Sequence, residues 1–238
     1  MDRRKRGILY GLALGDGGIY LNKSQAKDTA RLIIGHGPAQ LEYLKYKQRL
    51  LHSILGGKAP AICSYESKNK STNKVYTNHQ LYKNHKYFRQ MHGVLYPKGS
   101  KVYTEQLLSY LTDESLALWF MDDGAGTVCY NRKTKKPSGC MTRISTYCSK
   151  QEAELLRDWF SDKYKLEPKF DVDKRNDKYS LRFNTRESRD FVSIVLPYMY
   201  QPMRYKVDHV DKYIPRVQDT LRGEDIVRPL GKPKEGCN

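Results

Sequence analysis

Two aspartates, Asp16 and Asp123, each end an apolar run and precede a glycine. The runs read GILYGLALGDG over residues 7–17 and SLALWFMDDG over residues 115–124, and each predicts a helix that stops at the Asp-Gly step. A carboxylate at the C-terminal end of a helix is disfavoured by the helix dipole, and a cation would relieve the conflict. If the two helices pack side by side, the carboxylates meet and form a site for a hard divalent ion such as Mg²⁺. Such an ion can activate a water and stabilise the leaving oxygen of a phosphodiester.

A second repeated pattern, Pro-x-x-x-Lys-Val, occurs at residues 97–102 and 202–207. It places Lys101 and Lys206 at an offset of 105 positions, close to the 107 positions between Asp16 and Asp123. Two unrelated patterns at nearly the same offset predict a tandem of two similar units, at residues 1–108 and 109–214, followed by a basic tail at 215–238. The matched lysines are candidate cations beside a scissile phosphate, although most lysines in so basic a chain lie on the solvated surface.

The composition indicates a globular protein with an anionic partner. The 238 residues contain 43 Lys and Arg against 26 Asp and Glu, a formal net charge of +17, and 39% are hydrophobic. The positive charge is spread along the chain rather than gathered on one amphipathic helix, which favours nucleic acid over a membrane surface. Apolar runs fall far short of the ~20 residues of a membrane span, and the N-terminal run is interrupted too early for an export segment. The five cysteines form no CxxC pair, so free thiols in a reducing compartment are expected.

Periodicity predicts the elements that position these residues. Helices are expected from Pro38 to the Gly56-Gly57 pair and over residues 85–96, and Ser149 with Glu152 forms a capping box that opens another. Strands are expected at residues 29–35, 59–65, 75–82, 142–148 and 178–184. The order helix, two strands, helix, two strands, helix therefore occurs twice. We expect an α+β fold of two pseudo-symmetric αββαββα units with antiparallel sheets.

Alternation along the predicted strands gives one face rich in hydrogen-bonding side chains. Such side chains suit base edges and phosphates, although any half-exposed antiparallel sheet has a polar face. The candidate DNA-binding residues are Arg31; Tyr76, Asn78 and Gln80; Arg143, Ser145 and Tyr147; and Lys178, Ser180, Arg182 and Asn184. Several strands in a strongly basic chain carry Arg, Lys, Asn and Gln on this face, and this favours nucleic-acid binding.

The segments from Leu9 to Gly17 and from Leu116 to Gly124 resemble the two signature helices of the LAGLIDADG homing endonucleases, in the single-chain form with two copies. The acidic eighth position of the motif is Asp16 in the first copy and Asp123 in the second. The resemblance covers nearly the whole chain in element order, basic charge and length. The third motif position is Gly11 in the first copy but Leu118 in the second, a departure that implies asymmetric packing of the two helices. Asp122 precedes Asp123, so the choice of acidic ligand in the second copy rests on alignment alone.

The resemblance implies a site-specific double-strand DNA endonuclease that acts as a monomer on a long asymmetric target. It implies that Asp16 and Asp123 bind Mg²⁺, or Mn²⁺, and that each serves the cut of one strand, with Lys101 and Lys206 flanking the paired sites. It also implies two saddle-shaped antiparallel sheets that straddle the major groove and are joined at the motif helices. A splicing maturase that binds host intron RNA and a non-cleaving DNA-binding regulator are alternatives, and the retained carboxylates favour cleavage. The expected compartment is one inside the cell that holds DNA, organelles included.

Overall fold

The computed structural model describes residues 1–22, 28–68 and 71–210, and within them the order αββαββα occurs twice. The tail predicted at residues 215–238 and the end of the second predicted unit lie outside the described residues. The first half contains α1 (Arg3–Leu14), β1 (Gly17–Leu21), β2 (Ala30–His36), α2 (Leu41–Leu55), β3 (Ala61–Lys68), β4 (Val75–His85) and α3 (Lys86–Leu95). A short helix, α4 (Glu105–Ser109), follows it. The second half contains α5 (Asp113–Asp123), β5 (Gly124–Tyr130), β6 (Pro137–Cys148), α6 (Lys150–Tyr164), β7 (Lys169–Asp173), β8 (Lys178–Phe183) and α7 (Thr185–Val195).

Local side-chain caps determine where the helices start. Asp2 accepts the backbone N–H of Lys5 at the start of α1, and Thr112 forms a capping box with Ser115 at the start of α5. The capping box predicted at the start of α6 is present. At the other end of α2, Gly56 and Gly57 have φ angles of 64° and 63°, a left-handed conformation that glycine adopts without strain. The predicted stop of this helix is therefore confirmed.

Each half builds one four-stranded antiparallel sheet. The strand orders are β1-β2-β4-β3 and β5-β6-β8-β7, so the two sheets have the same topology. In β2 the burial alternates strictly, with Leu32 and Ile34 buried in the core while Arg31 and Gly35 on the other face are exposed. Helices cover the buried faces, and the opposite faces are left open to solvent. The predicted α+β class with antiparallel sheets is confirmed.

The two halves meet where α1 packs against α5. Three glycines at a spacing of four, Gly7, Gly11 and Gly15, line the face of α1 that touches α5. A Cβ at Gly11 would lie 2.6 Å from the carbonyl oxygen and 2.7 Å from the Cα of Ser115, so the two backbones are in direct contact there. Leu118, the second copy's third motif position, is fully buried in the core. The helix pair is thus closely packed on the glycine side, as the departure at Leu118 predicts.

Sequence periodicity missed three strands that complete the sheets: β1, β5 and β7. Gly124, the C-cap of α5, and Gly17, three residues beyond the end of α1, are the first residues of β5 and β1. Glycine and short length hide such strands from an alternation pattern. Among the described residues, no helix combines the length and apolar character that a bilayer crossing needs.

Candidate active site

The ends of α1 and α5 bring three carboxylates together at the meeting point of the two halves. The backbone N–H of Asp16 donates to Asp122 Oδ2 at 3.0 Å, which joins the two motif ends directly. Asp16 is partly exposed, whereas the side chain of Asp122 is fully buried. Asp123 ends α5 and its side chain interacts electrostatically with both other acids. The two aspartates predicted from the motif repeat therefore lie in one cluster.

Lys101 lies at the C-terminal end of α1. Its ammonium bonds the carbonyls of Ala13 and Leu14, which have no partner within the helix. Four carbonyl oxygens at or just beyond the end of this helix lie within hydrogen-bonding distance of Lys101 Nζ and share its three donors: Ala13 (2.7 Å), Gly17 (3.1 Å), Leu14 (3.3 Å) and Gly15 (3.4 Å). Burial lowers the pKa of Lys101, and the nearby Asp123 and Asp16 charges oppose that shift. The cation thus relieves the dipole conflict at this helix end.

Lys206 occupies the matching place at the end of α5. Its Nζ donates to the carbonyl oxygen of Asp122 at 2.8 Å, and this is its only hydrogen bond within the described part of the chain. Burial also lowers the pKa of Lys206, while the charges of Asp122, Asp16 and Asp123 raise it. An ammonium carries three donors, so Lys206 retains donors for another anion where Lys101 is surrounded by carbonyls. The structure brings both predicted lysines to the carboxylate cluster.

The carboxylates hinder one another's ionisation. Burial raises the pKa of Asp123 to about 7, and the charges of Asp122 and Asp16 contribute. Burial also raises the pKa of Asp16, with the Asp122 charge as the next cause. Burial and mutual repulsion destabilise the ionised forms of Asp16 and Asp123. A bound cation would stabilise both carboxylates and so favour their ionisation.

A buried polar network beside the cluster was not predicted from the sequence. Lys47 of α2 is fully buried, and its Nζ lies 2.6 Å from Asp122 Oδ1 and 2.9 Å from His36 Nε2. The other ring nitrogen of His36, Nδ1, lies 2.9 Å from Gln40 Oε1 and 3.5 Å from Asp16 Oδ2. Burial, with the charge of Lys47, lowers the pKa of His36 to about 4, so the ring is neutral at neutral pH. The available sequence signal was a lysine on the apolar face of an amphipathic helix.

The network bears on which residues could hold a metal. Ligand atoms of Asp16, His36 and Asp122 lie within 4.8 Å of one another. However, the Lys47 ammonium can only donate, so His36 Nε2 accepts from it and Nδ1 carries the ring proton. Asp122 accepts from Lys47 and from the Asp16 N–H through its two oxygens. His36 and Asp122 are therefore already committed, whereas the carboxylates of Asp16 and Asp123 fit the all-oxygen ligation that Mg²⁺ prefers.

The open face of the first sheet carries the residues predicted on β2 and β4. Arg31 Nε donates to Asn84 Oδ1 at 2.9 Å on the adjacent strand, and its guanidinium lies 5.5 Å from the ring centre of Tyr82. Asn78 donates to Ser67 Oγ at 2.6 Å. Tyr76 is exposed and Gln80 is half-buried on the same face. The surface consists largely of tyrosine, asparagine and glutamine.

The open face of the second sheet is more highly charged. Arg143, Ser145 and Tyr147 are exposed along β6, and Arg143 pairs in register with Arg182 of β8. Sequence reading missed Asp171 of β7, whose carboxylate lies 3.0 Å from Arg182 Nε and 3.7 Å from Arg143 Nε. One acid thus holds both predicted arginines in place.

Three residues at β8 complete the predicted set, and two of them differ from the expectation of an open polar face. Lys178 is half-buried on β8. Ser180 is only 6% exposed, because it lies on a central strand of the sheet. Asn184 follows the strand and caps α7, where its side chain accepts the backbone N–H of Glu187. A cap residue with an exposed position looks like a strand residue in an alternation pattern.

Comparison with known proteins agrees with this architecture. A sequence model described as the LAGLIDADG DNA endonuclease family matches residues 6–191. The chain belongs to this family. Both LAGLIDADG segments, Leu9 to Gly17 and Leu116 to Gly124, lie within the matched region with their aspartates Asp16 and Asp123.

Three relatives illustrate the extent of the similarity. The solved structure of the homing endonuclease I-WcaI bound to its DNA recognition sequence is 25% identical, with a TM-score of 0.70 over 87% of this chain and 86% of that one. The probable intron-encoded endonuclease 1 of Wickerhamomyces canadensis is 33% identical over 144 residues, 60% of each protein. Protein RecA of Mycolicibacterium flavescens is 29% identical over 226 residues, which cover 93% of this chain and 48% of that protein. The chain spans about half the length of the RecA relatives it matches.

Proposed function

We propose that this LAGLIDADG protein is a site-specific endonuclease that cuts both strands of duplex DNA with a divalent metal ion. The observation that carries the proposal is the cluster at the ends of α1 and α5, where Asp16 and Asp123 lie with Lys101 and Lys206. Two acids and two half-buried cations at one point are more than a helix contact needs. They are the charge arrangement that a phosphodiester and its counterions require.

Asp16 and Asp123 would hold the divalent ions, for which Mg²⁺ is the primary candidate and Mn²⁺ the second. A bound ion supplies an activated water and stabilises the leaving oxygen. Lys206 supplies ammonium donors toward the phosphate, while Lys101 mainly fixes the end of α1 and adds positive potential. The two lysines thus share a position but differ in role.

The open faces of the two sheets would contact the two halves of one target. Phosphate contacts by Lys and Arg supply affinity, and side chains that reach base edges supply specificity. Arg31, Gln80, Arg143 and Arg182 are the strongest candidates on these faces, because their side chains are exposed or half-buried and can hydrogen-bond to base edges. Ser180 and Asn184 contribute little to this set, since one is buried and the other is a helix cap.

The chain would act as a monomer, because both candidate carboxylates come from one polypeptide. Its place of action is a compartment inside the cell that holds DNA. Neither the comparisons nor the described residues favour the alternative of a maturase acting on intron RNA.

The test is a cleavage selection on a randomised duplex library with Mg²⁺, followed by strand-specific assays on the recovered duplex. Wild type is expected to cut, and Asp16→Asn and Asp123→Asn are expected to reduce cutting by at least ~100-fold. Glu42→Gln is the matched control, since Glu42 is an exposed acid on α2 that pairs only with Lys45 among the residues described. Unchanged cutting by both Asp variants would refute the assignment of the metal site. A wild type that binds DNA and never cuts it would refute the activity itself.

A further inference from the structure

The ion pair between Lys47 and Asp122 has features that stability alone does not explain. Both side chains are 0% exposed, and their atoms are 2.6 Å apart. Taking two charges out of water is unfavourable, and replacing such a pair by apolar residues of similar volume is often neutral or stabilising. A pair of this kind at the edge of the carboxylate cluster therefore points to a role in organising the cluster.

The other half of the molecule contains an apolar version of the same place. Helices α2 and α6 both have 15 residues, and at an offset of 109 the buried Leu44, Lys47 and Leu51 coincide with the buried Ala153, Leu156 and Phe160. At this offset Lys47 corresponds to Leu156, which is fully buried. At the motif offset of 107, Asp122 corresponds to Gly15. The fold thus has a neutral Leu156 and Gly15 at the positions equivalent to Lys47 and Asp122, which form the ion pair between the two halves.

The asymmetry coincides with a difference between the two motif helices. Helix α5 continues through Asp123, so the amide of that catalytic aspartate lies within the helix. Helix α1 ends at Leu14, two residues before Asp16, and the amide of Asp16 donates instead to Asp122 Oδ2. The other oxygen of Asp122 is held by Lys47. The position of Asp16 is therefore fixed by a chain of contacts that Asp123 does not use.

We propose that Lys47 and Asp122 are positioning residues for Asp16, and that they make the two strand cuts unequal in their requirements. Lys47 orients the Asp122 carboxylate, and this carboxylate holds the backbone of Asp16 where α1 has already ended. The inference rests on the proposed cleavage and adds that only the cut served by Asp16 depends on this pair. Asp123 is positioned by its own helix and is independent of it.

The experiment uses two double variants that remove the charges but differ at one hydrogen bond. Lys47→Met with Asp122→Asn, the asparagine form, keeps a side-chain oxygen that accepts the Asp16 amide. Lys47→Met with Asp122→Ala, the alanine form, removes that acceptor. Leu156→Met is the matched control at the equivalent place in the second half. If the alanine form does not fold, Lys47→Leu with Asp122→Gly replaces it, because this combination copies Leu156 and Gly15.

Two readouts are compared on the full chain after circular dichroism has shown that each variant is folded. In the first, nicking of each strand is followed on the duplex recovered by selection, and Asp16→Asn identifies the strand that Asp16 serves. The alanine form should slow that strand by about 10- to 100-fold, since a displacement of ~1 Å can have this effect. The asparagine form keeps the acceptor for the Asp16 amide but loses the Lys47 contact that orients it, so it should slow that strand less than the alanine form does, whereas Leu156→Met should stay within about threefold of wild type on both strands.

The second readout is Mn²⁺ binding to the protein alone, followed by electron paramagnetic resonance, which does not depend on cleavage. The alanine form should bind Mn²⁺ at least ~10-fold more weakly than the asparagine form, because one carboxylate ligand is no longer fixed. Equal slowing of both strands, or equal Mn²⁺ affinity of the two double variants, would overturn the inference. If wild type cuts no duplex, the proposed function fails while the Mn²⁺ comparison still decides the positioning role.

Discussion

Substituting Gly11 by alanine tests the contact between α1 and α5. The added Cβ would lie 2.6 Å from the carbonyl oxygen and 2.7 Å from the Cα of Ser115, both backbone atoms that cannot rotate away. Optimal carbon contacts are about 3.5 Å or longer, so the two helices must separate by ~1 Å at this point. The overpacking should reduce stability by about 1–3 kcal/mol. A shift of this size at the motif helices should also slow cleavage by about 10- to 100-fold.

The matched control is Gly93→Ala in α3, where an added Cβ has nothing within 4 Å. Both substitutions gain up to ~1 kcal/mol of helix propensity, so their difference in unfolding free energy isolates the clash. For a protein of this size the difference should appear as about 2–12 °C in melting temperature. Unfolding followed by circular dichroism measures it, with cleavage rates taken on the same preparations. If Gly11→Ala melts as high as Gly93→Ala, the reasoning about direct backbone contact is wrong.

Three further outcomes follow from contacts described above. Asp171→Asn should raise affinity for non-cognate DNA about threefold or more and steepen the salt dependence of binding, because Arg143 and Arg182 lose their acidic partner. Fluorescence anisotropy measures this affinity. Asp158→Asn controls for net charge, because Asp158 is an exposed acid on α6. Chelation of divalent ions should abolish cutting yet leave DNA binding within ~10-fold, whereas raising salt from ~50 to ~200 mM should weaken binding by ~10³-fold or more; a gel-shift titration that shows binding lost with the metal contradicts this. Burial tends to raise the pKa of Glu152, but hydrogen bonds from Ser149 and from the Tyr103 N–H lower it below the usual 4.5. A lowered carboxyl pKa gives stability that is present above the unfolded value and lost as pH falls through the folded one, so melting temperature should drop more between about pH 5 and pH 3 in wild type than in Glu152→Gln.

The repeat made much of the fold predictable. Two patterns at similar offsets indicated two like halves, and both motif helices lie where the repeat predicted, although α5 ends at its Asp-Gly step and α1 ends two residues before Asp16. The capping box at Ser149 was also readable, because caps are local and their side-chain chemistry is explicit. Strands β1, β5 and β7 were missed, since they are short or begin with glycine and their pairing is decided by distant partners.

The charged residues that matter beyond the motif were harder to find. In the sequence, Lys47 is distinguished from the other lysines only by its position on the same helix face as Leu44 and Leu51, which is buried. Its partner Asp122 is 75 positions away, and its position beside Asp123 made it look redundant. Asp171 was not predicted because its pairing with Arg143 and Arg182 depends on strand register, which the sequence does not show. Long-range pairs of this kind depend on how the halves pack, which no local pattern contains.

The unequal halves limit how this protein can be recombined. A symmetric assembly of two first halves would bury Lys47 against Gly15, with no acid to pair with it. Two second halves would bring an Asp122 side chain to each place where α1 now needs the bare backbone of Gly15. A chimera with a half from a relative should therefore carry both Lys47 and Asp122 or neither. The Lys47–Asp122 pair therefore restricts which halves can be combined, independently of which DNA sequence each sheet prefers.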